Sequence, residues 1–482
     1  MTDETREIRQ SSRMTETEAL MWAAESDPWL SSGMGSVFIL DTAPEFGRFV
    51  ETMERASHTL LRLRERVVDG LGIAPPSWVV DEEFDIHEHV RHVKLPSPGG
   101  VRELLDVAAQ VFQDPFDVHR PLWQFIAVEG SGGRKRTDSV PGGIIMKLHH
   151  SVSDGIGALR LAEMYLDFER EPSPPSEDAT AAKVVAGNPR SKPRPKNVVD
   201  AALGELDYVA RQQLELARRA VAEVSLWGAD RGRIRKAADQ AAATVKSVVQ
   251  QSSSPQSPDS GSPLWSTRSR HRHLEVFDVP LDELRAAAKR RGGSVNDLFV
   301  AGSALAASRY HEERGAAVDA FNLSFIVSTR ADDAAGGNSF APIPFSIPGS
   351  PMTAADTFHS VKLAMLEKRD ELSSSPADAM NLMIGMATML PDSMISKAGR
   401  ARAAKHDWAT SNLRGAPIPI FTAGGQITHM YPVGPLGGTA FNLTAMSYCG
   451  TLFFGVFIDP RAVDDPASLR SHLIAAYADL VS

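Results

Sequence analysis

One cysteine, Cys449, is all that the 482 residues contain, so the chain can form no internal disulfide, and this usage fits a reducing compartment. Cys449 falls in an apolar stretch that reads as a strand, a poor setting for a nucleophilic thiolate. No run reaches the roughly 18 apolar residues of a membrane span. Met1 to Arg13 carries both charge signs without the apolar centre of a signal peptide, so a cytoplasmic protein is expected. Basic charge is not in excess either. A net charge of -9 argues against a nucleic-acid partner, although it leaves room for a local basic patch such as Arg134-Lys135-Arg136. G-x-S-x-G, G-x-x-x-x-G-K and a dinucleotide fingerprint are all missing, which removes the usual signatures of serine hydrolases, phosphate-loop enzymes and dinucleotide enzymes.

What remains is an ordinary globular composition, 43% hydrophobic and 23% charged, long enough for two halves of similar size. The chemistry concentrates in Lys147-Leu148-His149-His150-Ser151-Val152-Ser153-Asp154-Gly155. Gly142 to Met146 before it reads as a short buried strand. Ile156, Leu159, Leu161, Met164, Tyr165 and Phe168 after it recur at helical spacing. A strand end presents a side chain rigidly, and imidazole accepts a proton near neutrality. His150 and Asp154 are the pair to examine, with Gly155 allowing a sharp turn; the alternative is two half-buried, hydrogen-bonded histidines.

Along the chain, Thr15 to Trp22 reads as a capped helix, Ser36 to Leu40 as a strand, Glu45 to Leu63 as a helix, and Phe84 to Val90 as an approach to a second strand. Alternation would put His87 and His89 on one strand face, with His92 near, yet no cysteine lies close and no metal is expected. Val101 to Phe112 is a helix, and Pro121 introduces a central strand from Leu122 to Val128. Trp123 in that strand is either core or the wall of a pocket. Prolines and serines then mark a linker, in which Leu203 to Val224 forms a long amphipathic helix with a basic side, suited to bracing the halves or resting on a membrane. Beyond it come a strand at Leu274 to Val279, a helix at Leu281 to Arg291 and a second helix opened by Ser294 to Asp297, where Asn296 and Asp297 suit a cap. Phe325 to Arg330 is a strand; Arg330 could pair with Asp154. Met352 to Glu371 and the methionine-rich Met380 to Met394 are helical, Met446 to Asp459 is a hairpin in which Tyr448 either packs or binds, and Pro466 to Val481 is the last helix.

The HHxxxDG pattern resembles the bacterial wax ester synthase and diacylglycerol acyltransferase family, within the chloramphenicol acetyltransferase-like superfamily. Pro121-Leu122-Trp123, Val295-Asn296-Asp297, Ser411-Asn412 and Ser447-Tyr448-Cys449-Gly450 extend the likeness in the family's order. After Ser411-Asn412 the family usually carries a valine, a proline and a glycine; here Leu413-Arg414-Gly415 stands instead. The resemblance implies an α/β fold of two chloramphenicol acetyltransferase-like halves, each a mixed or antiparallel sheet covered by helices. Boundaries follow as a tail at 1–14, a first half at 15–171, linkers and the long helix at 172–265, and a second half at 266–482. It also implies His150 as general base beside His149, Asp154 as a structural partner and Asn296 as an oxyanion donor. Gly155, Trp123, Asp297, Arg330, Ser411, Asn412 and Tyr448 fall on the substrate side. The implied activity is direct transfer of a long-chain acyl group from acyl-coenzyme A, a co-substrate rather than a cofactor, to diacylglycerol or a long-chain alcohol. A membrane or lipid-droplet surface is the implied workplace, and a non-catalytic lipid-binding protein is the reading from another class.

Overall fold

The computed structural model describes residues 13–70, 74–130, 140–152, 161–172, 261–316, 318–328, 340–349, 353–374 and 392–482. In chain order the first part gives α1 (Glu16–Glu25), β1 (Gly33–Leu40), α2 (Phe46–Thr59), a 3-10 turn (Leu61–Arg64), β2 (Glu65–Val68), β3 (Ser77–Val80), α3 (Ile86–His89), β4 (Val90–Lys94), α4 (Val101–Gln113), β5 (Trp123–Glu129) and β6 (Gly142–His149). The second gives β7 (His273–Pro280), α5 (Leu281–Arg290), α6 (Val295–Glu313), β8 (Ala320–Ser328), β9 (Phe340–Pro348), α7 (Ala354–Ser374) and α8 (Asp392–Ala403). It closes with β10 (Trp408–Arg414), β11 (Phe421–Thr422), β12 (Gly425–Val433), β13 (Phe441–Tyr448), β14 (Thr451–Ile458) and α9 (Pro466–Val481).

Two six-stranded mixed sheets result, ordered β11-β12-β1-β6-β5-β4 and β7-β14-β13-β10-β8-β9. The expected two-sheet α/β architecture is therefore present. The sheets do not follow the expected division at 172–265, because β11 and β12 leave the second part of the chain and complete the first sheet, with Gly35 opposite Val433. The physical reason lies in β14. Leu452, Phe454, Val456 and Ile458 belong to the second core, where Phe454 meets Phe299 of α6 and Tyr477 of α9, whereas Phe453 and Phe457 belong to the first core. A strand buried on both faces reads as a continuous apolar run rather than an alternating one. Gly455 makes the crossing close: a Cβ there would lie 1.8 Å from the Pro432 carbonyl oxygen of β12.

The local elements form for identifiable reasons. Thr15 and Glu18 make a reciprocal capping box on α1, with the Thr15 amide donating to Glu18 Oε2 at 2.8 Å. On α6 the cap is Ser294, and Asp297 closes the box by accepting from the Ser294 amide at 2.7 Å; neither Asn296 nor Asp297 is itself the cap. Buried nearly all round, α6 is the apolar axis of the second half.

Several expectations change. Phe84 to Val90 does not alternate as a strand, since His87 and His89 belong to α3, where Asp85 caps by accepting from the His87 amide at 2.9 Å. His89 is buried between the Phe84 and Trp123 rings instead. β5 lies next to the edge strand β4 rather than at the centre. Cys449 is exposed at the β13–β14 turn with φ 45°, not within a strand. Met14 is 2% exposed and its amide donates to the Pro76 carbonyl, so the ordered chain begins before residue 15. Helix 161–165 ends early because Asp167 pairs with Phe421 of β11, leaving Phe168 76% exposed. The long helix at 203–224, the linkers from 173 to 260, Arg134 to Arg136 and residues 380–391 lie outside the described residues.

Tyr448 is a packed residue. It is 2% exposed, accepts from the Ile420 amide at 3.0 Å and donates to the Ile427 carbonyl at 2.9 Å. Removing its hydroxyl leaves both backbone groups buried and unpaired. Tyr448→Phe should cost about 1–3 kcal/mol, read as a lower urea midpoint at an unchanged slope; an unchanged midpoint would deny the hydroxyl this role.

Candidate active site

The end of β6 carries the two histidines, and the backbone treats them differently. His149 is still in the ladder opposite Gly33 of β1, and its amide donates to the Leu122 carbonyl at 2.9 Å. One residue later the His150 amide donates to the Ser32 carbonyl at 3.0 Å. The strand has ended, yet the backbone of His150 is still held.

The His149 ring is fully buried, at 0% exposed. Its Nδ1 accepts from the Ser151 amide at 3.2 Å and lies 2.6 Å from Ser151 Oγ, while its Nε2 sits 3.3 Å from Glu25 Oε2. A ring nitrogen that accepts a backbone N–H must present its lone pair there, so the partners assign the proton to Nε2, donated to Glu25. Both nitrogens are used. Phe116 and Trp22 meet the ring edge-on at centroid distances of 5.8 and 6.3 Å.

His150 is the converse. Its Nδ1 is buried and hydrogen-bonds to no other described residue, the backbone of His150 itself being the polar group that holds the ring. Burial holds the imidazole below its ordinary pKa of 6.5, and His149 adds in the same direction whenever it carries charge. A neutral imidazole can accept a proton at a nitrogen that no other described residue holds, whereas both His149 nitrogens are engaged. Asp154 and Gly155 lie outside the described residues, as does Arg330, so no contact among these three is described.

Behind the histidines, Glu25 at the end of α1 gathers three donors: Ser32 N–H at 2.7 Å, Ser31 Oγ at 2.8 Å and His149 Nε2. Its burial alone would raise its pKa, but the bonds from His149, Ser32 and Ser31 outweigh that and hold it below the ordinary 4.5. Lys147, also buried, donates to the Asp114 carbonyl and lies 4.3 Å above the Phe116 ring. Burial brings it down to about 8 against the opposing charges of Asp114 and Glu25. Sequence reasoning missed Glu25, Ser32, Ser151 and Lys147 as parts of one cluster. No local pattern could have joined Glu25 to a histidine 124 residues away.

In the second half, Asn412 on β10 donates from Nδ2 to Asn296 Oδ1 on α6 at 2.7 Å, so two expected site residues do meet. This contact leaves the Asn296 amide nitrogen as a donor. Ser411 stands opposite Thr444 of β13 and Ile326 of β8. Trp123 is 2% exposed, donating its indole N–H to the Leu63 carbonyl at 2.8 Å and stacking on His89, which places it in the core rather than on a pocket wall. Asp297 is occupied by its cap.

The wax ester synthase/diacylglycerol acyltransferase catalytic-domain model matches residues 14–299, and the C-terminal domain model of the same family matches 336–480. The chain belongs to the wax ester synthase/diacylglycerol acyltransferase family. Within that family of acyltransferases, a Mycobacterium tuberculosis relative assigned as a diacylglycerol O-acyltransferase is 30% identical over 98% of this chain and 92% of its own length. A second from the same organism is 28% identical over 90% and 88%. The solved wax ester synthase/diacylglycerol acyltransferase of Marinobacter aquaeolei VT8 shares the fold, with a TM-score of 0.62 at 19% identity, covering 97% of this chain and 98% of that one. The first condensation domain of the calcium-dependent antibiotic synthetase is also similar in fold, with a TM-score of 0.56, 16% identity and coverages of 98% and 97%.

His150 should titrate below 6.5 in a histidine-resolved NMR titration of this acyltransferase. Because its folded pKa is depressed, the unfolded chain binds the extra proton first, so stability is lost as pH falls from about 6.5 toward the folded value. Protonation of His150 at or above 6.5 would contradict its burial as the controlling influence.

Proposed function

We propose that this acyltransferase moves a long-chain acyl group from acyl-coenzyme A to the free hydroxyl of diacylglycerol, yielding triacylglycerol, with His150 as general base. The observation that carries the reading is the division of labour within the motif: His149 has both nitrogens engaged by Glu25 and Ser151, whereas the buried Nδ1 of His150 hydrogen-bonds to no other described residue and its ring has a lowered pKa. His150 takes the hydroxyl proton as the oxygen attacks the thioester carbonyl. The oxyanion then collapses, the carbon–sulfur bond breaks, and the imidazolium returns the proton to the departing thiolate. No acyl-enzyme forms. Asn296, oriented through its oxygen by Asn412, offers its amide N–H to the oxyanion. Asp154 supports the turn that follows His150, Gly155 permits it, and Arg330 is its charge partner. Ser411 lies on the alcohol side.

The diacylglycerol reading is supported by the names of the mycobacterial relatives, and the coenzyme A thioester by a starter condensation domain of rhizomide synthetase solved with C8-CoA, which has this fold at a TM-score of 0.51. A long-chain alcohol, giving a wax ester, is the close second reading because the family's name carries both activities. Among the described residues no helix is long and apolar enough to cross a membrane. In this reading the lipid acceptor is met at a membrane or droplet surface, and acyl-coenzyme A enters as a co-substrate without a cofactor.

Release of coenzyme A thiol from palmitoyl-coenzyme A, with diacylglycerol or hexadecanol offered in parallel, tests the assignment. His150→Ala should lose about a hundredfold to ten-thousandfold in turnover while its circular dichroism stays unchanged; near-normal turnover in the folded variant would sink the mechanism. Asn296→Ala should lower kcat by about tenfold or more if it stabilises the oxyanion, and an effect confined to KM would remove it from that role. Wild-type protein that binds acyl-coenzyme A but releases no thiol with either acceptor would favour the lipid-binding reading.

A further inference from the structure

We propose that Glu25 is a positioning residue for both histidines, holding His149 as its Nε2–H tautomer and fixing the loop that presents the acceptor for the His150 amide. The inference rests on the reading of His150 as the base and deepens it.

The geometry runs through one carboxylate. Oε2 accepts from Ser32 N–H at 2.7 Å and faces His149 Nε2 at 3.3 Å; Oε1 accepts from Ser31 Oγ at 2.8 Å. The same Ser32 offers its carbonyl to the His150 amide at 3.0 Å. Glu25 thus grips the peptide on which His150 leans and, separately, the ring of the residue before it. Its side chain is 14% exposed, so these bonds are made largely away from water, where a carboxylate needs every donor it has.

Glu25 is itself anchored. Two residues beyond it, Asp27 accepts both a 2.6 Å bond from Arg400 Nε and a 2.6 Å bond from the same guanidinium's second nitrogen, and the guanidinium covers the Trp29 ring at 4.1 Å. Arg400 lies on α8, so the second part of the chain clamps the end of α1. The other titratable groups facing the cluster are Lys147, whose charge lies toward Glu25, and Asp114 beyond it.

The informative substitution is one that removes the acceptors. Oε2 takes both the Ser32 amide and His149 Nε2, so a glutamine oxygen placed there keeps both bonds and turns its NH2 to Ser31 Oγ, which can accept. Alanine leaves the Ser32 amide, Ser31 Oγ and His149 Nε2 without this acceptor. The His149 proton is then no longer held on Nε2, and the loop whose Ser32 carbonyl takes the His150 amide loses its anchor. Either outcome shifts the histidine pair relative to the substrate, and misplacements of about 1 Å cost on the order of a hundredfold.

The test uses the full chain with palmitoyl-coenzyme A and the better acceptor, comparing wild type, Glu25→Ala, Glu25→Gln and His150→Ala. Turnover is measured alongside 15N-histidine spectra, in which the two tautomers give distinct nitrogen shifts. Glu25→Ala should lower kcat about tenfold to a hundredfold, leave KM for palmitoyl-coenzyme A within about twofold, and displace His149 from the Nε2–H pattern. Glu25→Gln, which keeps one acceptor for Ser32 and His149, should retain the pattern and recover part of kcat. Wild-type kcat in Glu25→Ala overturns the proposal, and so does a loss of kcat with the His149 pattern intact. Should Glu25→Ala not fold, the wild-type spectrum decides, since His149 protonated on Nδ1 is incompatible with the role. Turnover retained in His150→Ala would remove the general base itself, whereas turnover lost there and kept in Glu25→Ala removes only Glu25.

Discussion

The ladder between β1 and β12 joins the beginning of the chain to its end, and the site depends on it. β1 has β12 on one side and β6 on the other, with Val37 opposite both Tyr431 and Ile145. β6 ends in the histidines, so their position is set by a strand whose own place is fixed from the far end of the sequence. The crossing of β14 over β12 at Gly455 then brings the second sheet against the first without intervening side-chain bulk. Phe453 and Phe457 reach one core and Phe454 and Val456 the other. An apolar link of this kind is non-directional; the direction comes from polar contacts such as Arg102 to Glu275 at 2.9 Å, which tie α4 to β7.

Burial governs the chemistry through a single rule applied to two neighbours. A buried polar atom is costly unless bonded, and His149 and Glu25 meet that condition for one another with help from Ser31, Ser32 and Ser151. Among the other described residues His150 finds no partner for Nδ1, and desolvation of the ring keeps it neutral. The adjacent residues thus differ in role because His149 closes the ladder beside Glu25 and Ser151, whereas His150 lies past the strand end and is held there by its amide bond to Ser32.

Elements with local signals were legible in the sequence. The α1 capping box, α5, the start of α6 and the last helix follow from caps and periodicity close to where they are observed, whereas the β13–β14 hairpin begins at Phe441, ahead of the expected Met446. Features that depend on distant partners were not. α3 looked like a strand because His87 and His89 alternate with acidic residues, but Asp85 caps a single helical turn and His89 finds the Trp123 carbonyl at 2.8 Å. β11 and β12 read as part of the second half, since nothing in their composition names β1 as partner. In the site, HHxxxDG and the asparagines were visible, yet the Asn412 to Asn296 bond and Glu25 needed coordinates.

The departure at Leu413-Arg414 can be placed on the same terms. β10 runs parallel to β13 as far as Arg414, which stands opposite Ser447, and the chain turns at Gly415. A Cβ at Gly415 would lie 2.3 Å from the Ser447 carbonyl oxygen, so the turn is enforced by the glycine. A proline at 414 would supply no N–H to the ladder and would favour ending the strand sooner. Arginine instead lets the pairing continue through 414, after which the Gly415 amide donates to Ser447 Oγ at 3.3 Å. Asn412, two residues earlier, stands opposite Ala445 and holds Asn296 from within the paired segment. The substitution therefore alters how the strand ends, while the asparagine pair is set by ladder contacts that precede it.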